Sequence, residues 1–245
     1  MQWYKEMLND IEREKTYCHK ELAEKLRTLR PDLSESAYHW ALNGLVHEGV
    51  LVREGYNSYV LSSGPSKGEY VPEYSELSKG LIKSVSDRFP HVKFAVFETV
   101  LLNEFLNHMI AQNTVFIQVE KESSIYVFRF LQECGFKDIM YKPGKKDFDL
   151  YWSKDCIVVT DMVSEAPLRT DKPHSIMLEK MLVDLSADKL IAAGFSKAEY
   201  PDIMEQAQKR YLLDKVRMLR YARRRNRQDL VLKYLEGGAV EDVAG

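Results

Sequence analysis

The chain has 245 residues, three cysteines and a formal net charge of −2. This length predicts one or two domains, and the charge excludes a protein that binds polyanions over its whole surface. The three cysteines, Cys18, Cys134 and Cys156, form no CxxC or Cys/His cluster, so the sequence indicates neither a structural zinc site nor disulfides. This cysteine content fits a cytoplasmic protein. A membrane-spanning helix needs about 18–20 apolar residues, and no apolar run of that length is present.

Two helices are predicted before residue 31. Residues 1–15 form the first, with Trp3, Met7, Leu8 and Ile11 at helical spacing. A second helix is expected to start at a Thr16 cap, and its apolar stripe consists of Leu22, Ala23, Leu26 and Leu29. Pro31 ends it, because the residue before a proline disfavours helical geometry.

The stretch from Ser34 to Leu61 has the pattern of a helix followed by a tight hairpin. Ser34 suits the helix N-cap, and Gly49 suits the left-handed residue after the last turn. One side of this helix is apolar, with Tyr38, Ala41, Leu42, Leu45 and Val46. Two short strands, Val50–Arg53 and Ser58–Leu61, follow with a turn between them. This order is typical of the end of a winged helix-turn-helix domain.

The polar side of the same helix predicts a DNA-binding surface that enters a major groove. Ser36 and Asn43 would bond base edges, and His39 or Trp40 would pack against sugar or a thymine methyl. The hairpin would contact phosphate. The expected DNA-contacting residues are Ser36, His39, Trp40, Asn43, Arg53, Tyr56 and Asn57. The alternative is that Trp40 belongs to the core and the polar residues are only solvated.

The charge of this first region limits how it binds DNA. Residues 1–62 contain ten acidic side chains and eight basic ones, which points to binding as a dimer, to help from a second domain, or to a protein-binding winged helix. The Ser, Gly and Pro content of the following stretch indicates a linker. The predicted domains are a winged helix at 1–63 and an α/β domain at 73–240, joined by a linker at 64–72.

Strands and helices alternate in the second domain. The predicted helices lie at 75–89, 99–111 and 122–134, and the predicted strands at 92–97, 114–119, 136–141 and 156–160. After Pro173 the pattern is helical, at 175–193, 200–211, 213–225 and 228–235. This order implies some parallel strand pairing. The predicted fold class is α+β in two domains, a winged helix-turn-helix and then a mixed α/β domain with an all-helical C-terminal part.

Two sets of residues leave a metal-dependent enzyme open as an alternative. Asp147-Phe148-Asp149 places two carboxylates on one side of an extended segment, a spacing that can hold a divalent metal. Glu98 and the Gln118-Val119-Glu120-Lys121 segment lie at the ends of two successive strands, as in some nucleases. Asp184 lies in an apolar helix, where an arginine partner or a helix cap is the expected role.

The C-terminal region has the strongest charge bias. Residues 205–236 contain ten Lys or Arg and four Asp or Glu. Arginines at helical spacing can neutralise phosphates or meet an acidic protein surface. The candidate surface consists of Arg217, Arg220, Arg223, Arg224 and Arg225. The alternative is a solvated basic helix end.

Three short segments carry a family resemblance: Val163–Leu168, Leu178–Leu185 and Leu219–Arg224. Together with the winged-helix pattern, they resemble the AbiEi-type antitoxins of abortive-infection toxin–antitoxin operons. That family has a Pro-Glu-Arg-Thr-Leu-Leu-Asp-Leu-like helix in its C-terminal domain. The matching residues here are Glu179, Leu182, Asp184 and Leu185, with Lys180 in place of the arginine and the proline displaced to Pro173.

The resemblance implies a DNA-binding repressor of its own operon that acts as antitoxin to a nucleotidyltransferase-like toxin encoded nearby. The expected partners are double-stranded operator DNA and that toxin; no membrane, cofactor, metal or enzymatic activity is expected, and the oligomeric state stays open. One alternative is a metal-dependent nuclease or nucleotidyltransferase that uses carboxylates of the second domain. The other is a protein-interaction module without DNA binding.

Overall fold

The computed structural model describes residues 3–12, 15–47, 49–55, 57–61, 68–172 and 174–236. The chain is an α+β protein of two compact units. Unit 1 comprises Met1–Tyr70 and Gln208–Met218, and unit 2 comprises Val71–Ala207 and Leu219–Gly245. Residues 64–67 of the predicted linker at 64–72 lie outside the described ranges. None of the helices in those ranges has the length and apolar character needed to span a membrane.

Unit 1 combines a 3-10 helix, two α-helices and a hairpin. The elements are a 3-10 helix at Trp3–Asp10, α1 at His19–Leu29, α2 at Glu35–His47, β1 at Leu51–Gly55 and β2 at Ser58–Leu61. The two strands are antiparallel, with Val52 opposite Val60. The elements of unit 1 share one hydrophobic core, whose buried residues include Met7, Leu22, Leu26, Leu42, Leu45 and Leu51. Gly49 has φ +69°, which confirms the predicted left-handed end of α2.

The start of α1 differs from the prediction of a Thr16 cap. Tyr17 pairs with Tyr59 of β2 through two backbone hydrogen bonds of 2.7 and 2.9 Å. This pairing keeps the chain extended through Tyr17, so the helix begins only after Cys18. The Cys18 backbone N–H then donates to the Glu21 carboxylate at 2.6 Å, which satisfies one free amide of the first turn.

Unit 2 contains a four-stranded mixed sheet. Its strands are β3 at Phe94–Glu98, β4 at Thr114–Val119, β5 at Ile139–Tyr141 and β6 at Cys156–Asp161, in the spatial order β3-β4-β6-β5. β3 runs antiparallel to β4, whereas β6 is parallel to both β4 and β5. The predicted parallel pairing is therefore confirmed, and β4 has the bounds expected from its apolar run.

Helices cover both faces of this sheet. The helices that follow the hairpin are α3 at Glu76–Arg88, α4 at Ser124–Glu133, α5 at Lys145–Tyr151, α6 at Leu178–Ala187, α7 at Tyr200–Arg210, α8 at Lys215–Arg224 and α9 at Gln228–Leu235. The last residues of α7 and the first residues of α8 belong to unit 1. On one face, sheet residues such as Ile117 share a cluster with Leu81 of α3 and Leu131 of α4. On the other face, Phe116 packs against Phe148 of α5 at 6.2 Å between ring centroids.

Two predicted helices are shorter in the structure. The segment expected to be helical at 99–111 forms a 3-10 helix only at Thr99–Glu104. The Asn103 side chain accepts from the Ile110 backbone N–H at 2.6 Å and donates to its carbonyl at 3.2 Å, which closes a loop in place of helical turns. The segment expected from 175 starts as α6 at Leu178, because Ser175 first pairs with Val96 of β3.

Two glycines of unit 2 give a matched test of backbone preference. Gly135 follows α4 with φ +85°, and Gly80 lies inside α3; a Cβ at either position would meet no atom within 4 Å. We expect Gly135→Ala to lower the free energy of unfolding by about 1–2 kcal/mol, because a Cβ disfavours the left-handed region. Gly80→Ala is expected to raise it by about 0.5–1 kcal/mol. Urea denaturation measures both, and equal shifts would contradict the conformational explanation.

Candidate nucleic-acid interface

α2 presents a polar outer face to solvent. We define this outer face as Ser36, His39, Trp40 and Asn43, all of which are exposed. The opposite side of the helix is buried in the core of unit 1, with Tyr38, Ala41, Leu42 and Leu45 at 2% exposure or less. Trp40 is 63% exposed, so its large indole ring lies on the surface rather than in the core.

Neighbouring side chains hold three residues of the outer face in place. The Trp40 ring meets Tyr4 edge-on, with 5.8 Å between ring centroids. The Ser36 hydroxyl lies 2.8 Å from the Ser34 hydroxyl, next to the helix start. His39 contacts His19 of α1. These contacts orient the outer face, while its polar atoms stay accessible to a partner.

The hairpin tip is attached to α1. Asn57, at the turn, has φ +56°, and its side-chain carbonyl accepts from the His19 backbone N–H at 2.9 Å. Asn57 therefore holds the hairpin turn against the start of α1, in addition to the phosphate contact that we predicted for it. The side chain of Arg53 and the whole of Tyr56, which we also predicted to contact DNA, lie outside the described residues, as does Pro173.

An ion pair lies at the start of α2. The Arg27 guanidinium of α1 meets the Glu35 carboxylate of α2 at 2.5 Å, and this hydrogen bond raises the pKa of Arg27. Both side chains are exposed. Because the pair neutralises Glu35, it reduces the repulsion that this carboxylate would exert on a nearby phosphate.

The arginines of the candidate C-terminal surface fall into different environments. Arg217 pairs with Asp214 at 3.3 Å, and Arg224 donates to the Ser164 hydroxyl at 2.6 Å. Arg220 and Arg223 are exposed and have no polar partner among the described residues. Their charges are therefore the most available of the set for a phosphate or an acidic surface.

Arg225 departs from the predicted surface because its side chain is only 14% exposed. Its Nε lies 3.3 Å from the Asp184 carboxylate, and its terminal nitrogen lies 3.5 Å from that of Asp188. The expected arginine partner of Asp184 is thereby confirmed. Arg225 contributes to the interior of unit 2, where a buried carboxylate needs a compensating charge.

Asp184 is the centre of a buried polar network that joins α6, β4 and α8. Lys180 and Asp184 are 0% and 1% exposed and pair across one helical turn. Lys180 also donates to the Gln118 side chain of β4, and the Tyr221 hydroxyl donates to Asp184 at 2.8 Å. Burial, reinforced by the adjacent carboxylate, raises the pKa of Tyr221, which therefore stays a hydrogen-bond donor.

Comparison with protein-family models decides the family. A model described as a family of unknown function (DUF6577) matches residues 37–239, from within α2 to beyond α9. The chain belongs to this family. None of the curated proteins compared with this DUF6577 chain matches it.

One solved structure shows a weak similarity to the DUF6577 chain. It is the crystal structure of RV2827C protein from Mycobacterium tuberculosis, with 11% identity and a TM-score of 0.27. The alignment covers 98% of this chain and 83% of that chain. At this TM-score the similarity supports no conclusion about fold or function.

The structure of the DUF6577 chain separates the first set of candidate metal ligands. Asp147 and Asp149 lie on α5, not on an extended segment. Residues two apart on a helix point in different directions, and Asp149 pairs with Lys145 instead. The predicted shared side of these two carboxylates is therefore wrong.

The second set of candidate metal ligands, Glu98 and the segment 118–121, is also separated, because the two strands that carry these residues run in opposite directions. Because β3 and β4 are antiparallel, Glu98 lies opposite Val115 and Gln118 lies opposite Ala95, at different ends of the strand pair. Glu98 is fully buried and accepts from Ser75, Ser78 and Asn113. Within the ranges the structure describes, no group of three or more His, Cys, Asp or Glu could hold a metal.

Proposed function

We propose that this protein is a sequence-specific DNA-binding regulator of its own operon that acts as antitoxin to a nucleotidyltransferase-like toxin encoded nearby. The observation that carries DNA binding is the outer face of α2. Ser36, His39, Trp40 and Asn43 are exposed on a helix whose other side is buried, and an antiparallel hairpin follows that helix directly. This order of elements supports a winged helix-turn-helix, in which the helix before the wing enters the major groove.

The chemistry of the outer face suits base edges. Asn43 can form a bidentate pair with adenine N6 and N7, and Ser36 can bond either base of a pair. Trp40 offers an apolar surface for a thymine methyl or a sugar. An exposed tryptophan that is held edge-on by Tyr4 loses little freedom on binding, so its contact area adds affinity at low entropic cost.

Phosphate contacts supply the remaining affinity. The outer face itself carries no Lys or Arg, so base reading and charge neutralisation fall to different residues. Arg53 beside the turn and the exposed Arg220 and Arg223 are the candidates. Each phosphate neutralised steepens the salt dependence of binding, which makes the salt slope a direct count of such contacts.

The antitoxin part of the proposal is supported by the resemblance of two segments, Leu178–Leu185 and Leu219–Arg224, to AbiEi-type antitoxins. The first segment lies in α6, where residues 178–185 are all buried, and the second lies in α8. Co-expression with the neighbouring reading frame tests this part. A toxin that arrests growth alone, and is neutralised by this chain, is the expected result.

Base reading by the outer face is tested with Asn43→Ala. We expect the variant to bind the DNA upstream of its own gene more weakly by about 1–3 kcal/mol, because one base loses its bidentate partner. Binding to scrambled DNA should be unchanged. Fluorescence anisotropy at several salt concentrations measures both affinities.

The matched control is Asn107→Ala, which removes an exposed asparagine of unit 2. It should bind both DNAs like the wild type. If wild type and Asn43→Ala bind upstream and scrambled DNA equally, base reading by α2 is excluded. If neither DNA binds at any salt concentration, the protein-interaction alternative replaces the proposal.

A further inference from the structure

A cavity of about 480 Å³ lies in unit 2, between β4, α5 and the residues just before β4. Three of its lining residues are aromatic: Phe116 of β4 and Phe148 of α5, which are buried, and Trp152, which directly follows α5 and is half-buried. Pockets that bind small molecules have volumes of about 300–1,000 Å³ and a mostly apolar and aromatic lining. This cavity therefore has the size and lining of a site for a small ligand that contains an aromatic ring.

The polar groups of the inner lining already have partners inside unit 2. The Trp152 indole N–H donates to the Thr114 hydroxyl at 2.7 Å. The Thr99 hydroxyl accepts from the Thr114 backbone N–H at 2.9 Å and donates to the Asn113 side chain at 3.2 Å. A nucleobase at this place would exchange the water on its polar ring edge for groups that are already paired, which is costly. The inner lining therefore favours an apolar ring, such as a phenyl ring.

Charges of both signs lie on the exposed part of the lining. Lys145 and Asp149 line the cavity and pair with each other across one turn of α5, and their side chains are 47% and 55% exposed. Together with Phe148, they follow the i, i+3, i+4 spacing of one side of a helix, so α5 presents an aromatic ring with both charges beside it. Water screens an exposed ion pair of this kind, so a ligand can rearrange the pair at little cost.

The two charges select the head group of the ligand. A phosphate would meet the Asp149 carboxylate together with the Lys145 ammonium, so attraction and repulsion would largely cancel. An α-amino acid carries an ammonium and a carboxylate close together, and each of them can form a charge-assisted hydrogen bond with one member of the pair. We propose that this cavity binds a free aromatic amino acid, with its ring against Phe148 and Trp152, its ammonium at Asp149 and its carboxylate at Lys145.

Isothermal titration of the full chain with L-phenylalanine tests the site. We expect one ligand to bind per chain. 2-Phenylethylamine lacks the carboxylate and 3-phenylpropionate lacks the ammonium, so each should bind about tenfold more weakly through the loss of one charge-assisted hydrogen bond. L-Alanine, which lacks the ring, and adenosine, whose ring edge is polar, should give no measurable binding. The titration contains no DNA, so its result does not depend on the proposed function.

Variants of the two charged residues identify where each end of the ligand binds. Lys145→Gln and Asp149→Asn should each weaken the binding of L-phenylalanine by about tenfold. The control Lys146→Gln makes the same change at an exposed neighbour outside the lining and should bind like the wild type. Asp149→Asn should bind 3-phenylpropionate at least as tightly as the wild type does, because that ligand has no ammonium. A purely structural effect of the substitution would weaken the binding of both ligands.

Thermal unfolding gives a second readout that does not rely on heats of binding. L-Phenylalanine should raise the Tm of the wild type, because a ligand that binds only the folded state stabilises it. The same concentration should raise the Tm of Asp149→Asn by less. Wild type that binds L-phenylalanine no more tightly than L-alanine, or Asp149→Asn that binds it as the wild type does, would overturn the proposal. Binding of adenosine in place of L-phenylalanine would also overturn it.

Discussion

Asp184→Asn is expected to lower the free energy of unfolding of unit 2 by about 3–5 kcal/mol, since it leaves a buried cation without its counter-charge. Lys180 is 0% exposed and would keep the neutral Gln118 side chain and the face of the Tyr221 ring as partners, neither of which carries a negative charge. Arg225 would lose the same carboxylate. Tyr221, which donates to Asp184 at 2.8 Å, would face an amide group, of which only the oxygen can accept its hydrogen bond.

The chain contains a matched control for this substitution. Lys145 and Asp149 form another Lys–Asp pair with the same four-residue spacing, but their side chains are 47% and 55% exposed. Asp149→Asn should change the free energy of unfolding by less than about 0.5 kcal/mol, because water already screens the pair. Urea denaturation followed by circular dichroism compares the two variants directly.

A double variant separates charge from packing. Lys180→Met combined with Asp184→Leu removes both charges of the buried pair, and it should be markedly more stable than Asp184→Asn. If Asp184→Asn is as stable as Asp149→Asn, the buried network does not stabilise unit 2 through charge compensation.

The second large effect is expected at Glu98, at the end of β3. Its carboxylate accepts four hydrogen bonds of 2.6 to 2.9 Å from the Ser75 backbone N–H, the Ser75 and Ser78 hydroxyls and the Asn113 amide. Glu98→Gln turns one acceptor oxygen into a donor that faces other donors. We expect a loss of about 2–4 kcal/mol of unfolding free energy, because buried donors then lack partners.

Glu76→Gln is the control for Glu98→Gln. Glu76 lies in the first turn of α3 and its side chain is 91% exposed, so the same chemical change there should leave the denaturation midpoint close to that of the wild type. A Glu98→Gln protein with an unchanged midpoint would show that the surrounding donors find other acceptors.

The sequence alone was sufficient to predict those elements whose pattern depends only on neighbouring residues. The apolar run at 114–119 predicted β4 with the correct bounds, and Gly49 predicted the end of α2. It failed where a distant partner decides the local structure. Tyr17 stays extended because Tyr59 pairs with it, and Asn103 ends a predicted helix by binding Ile110. Spacing alone does not reveal either partner.

The same limit applied to the candidate sites. The outer face of α2 follows from helical periodicity, so its exposed residues were predictable. The network around Asp184 was not, because Gln118 lies 66 positions and Tyr221 lies 37 positions away in the chain. The arginine pattern at 217–225 likewise gave no sign that Arg225 turns inward while Arg220 and Arg223 face solvent.

The order of the strands has a consequence for biosynthesis. Among the strands of the described residues, β6 is translated last, yet it lies between β4 and β5 in the sheet. On the ribosome, a nascent chain that ends before residue 156 therefore has no partner for one edge of β4, and β5 has no neighbour at all. Unpaired strand edges invite association with other chains. Translation pauses before this point would thus prolong the interval in which these unpaired strand edges are open to association with other chains.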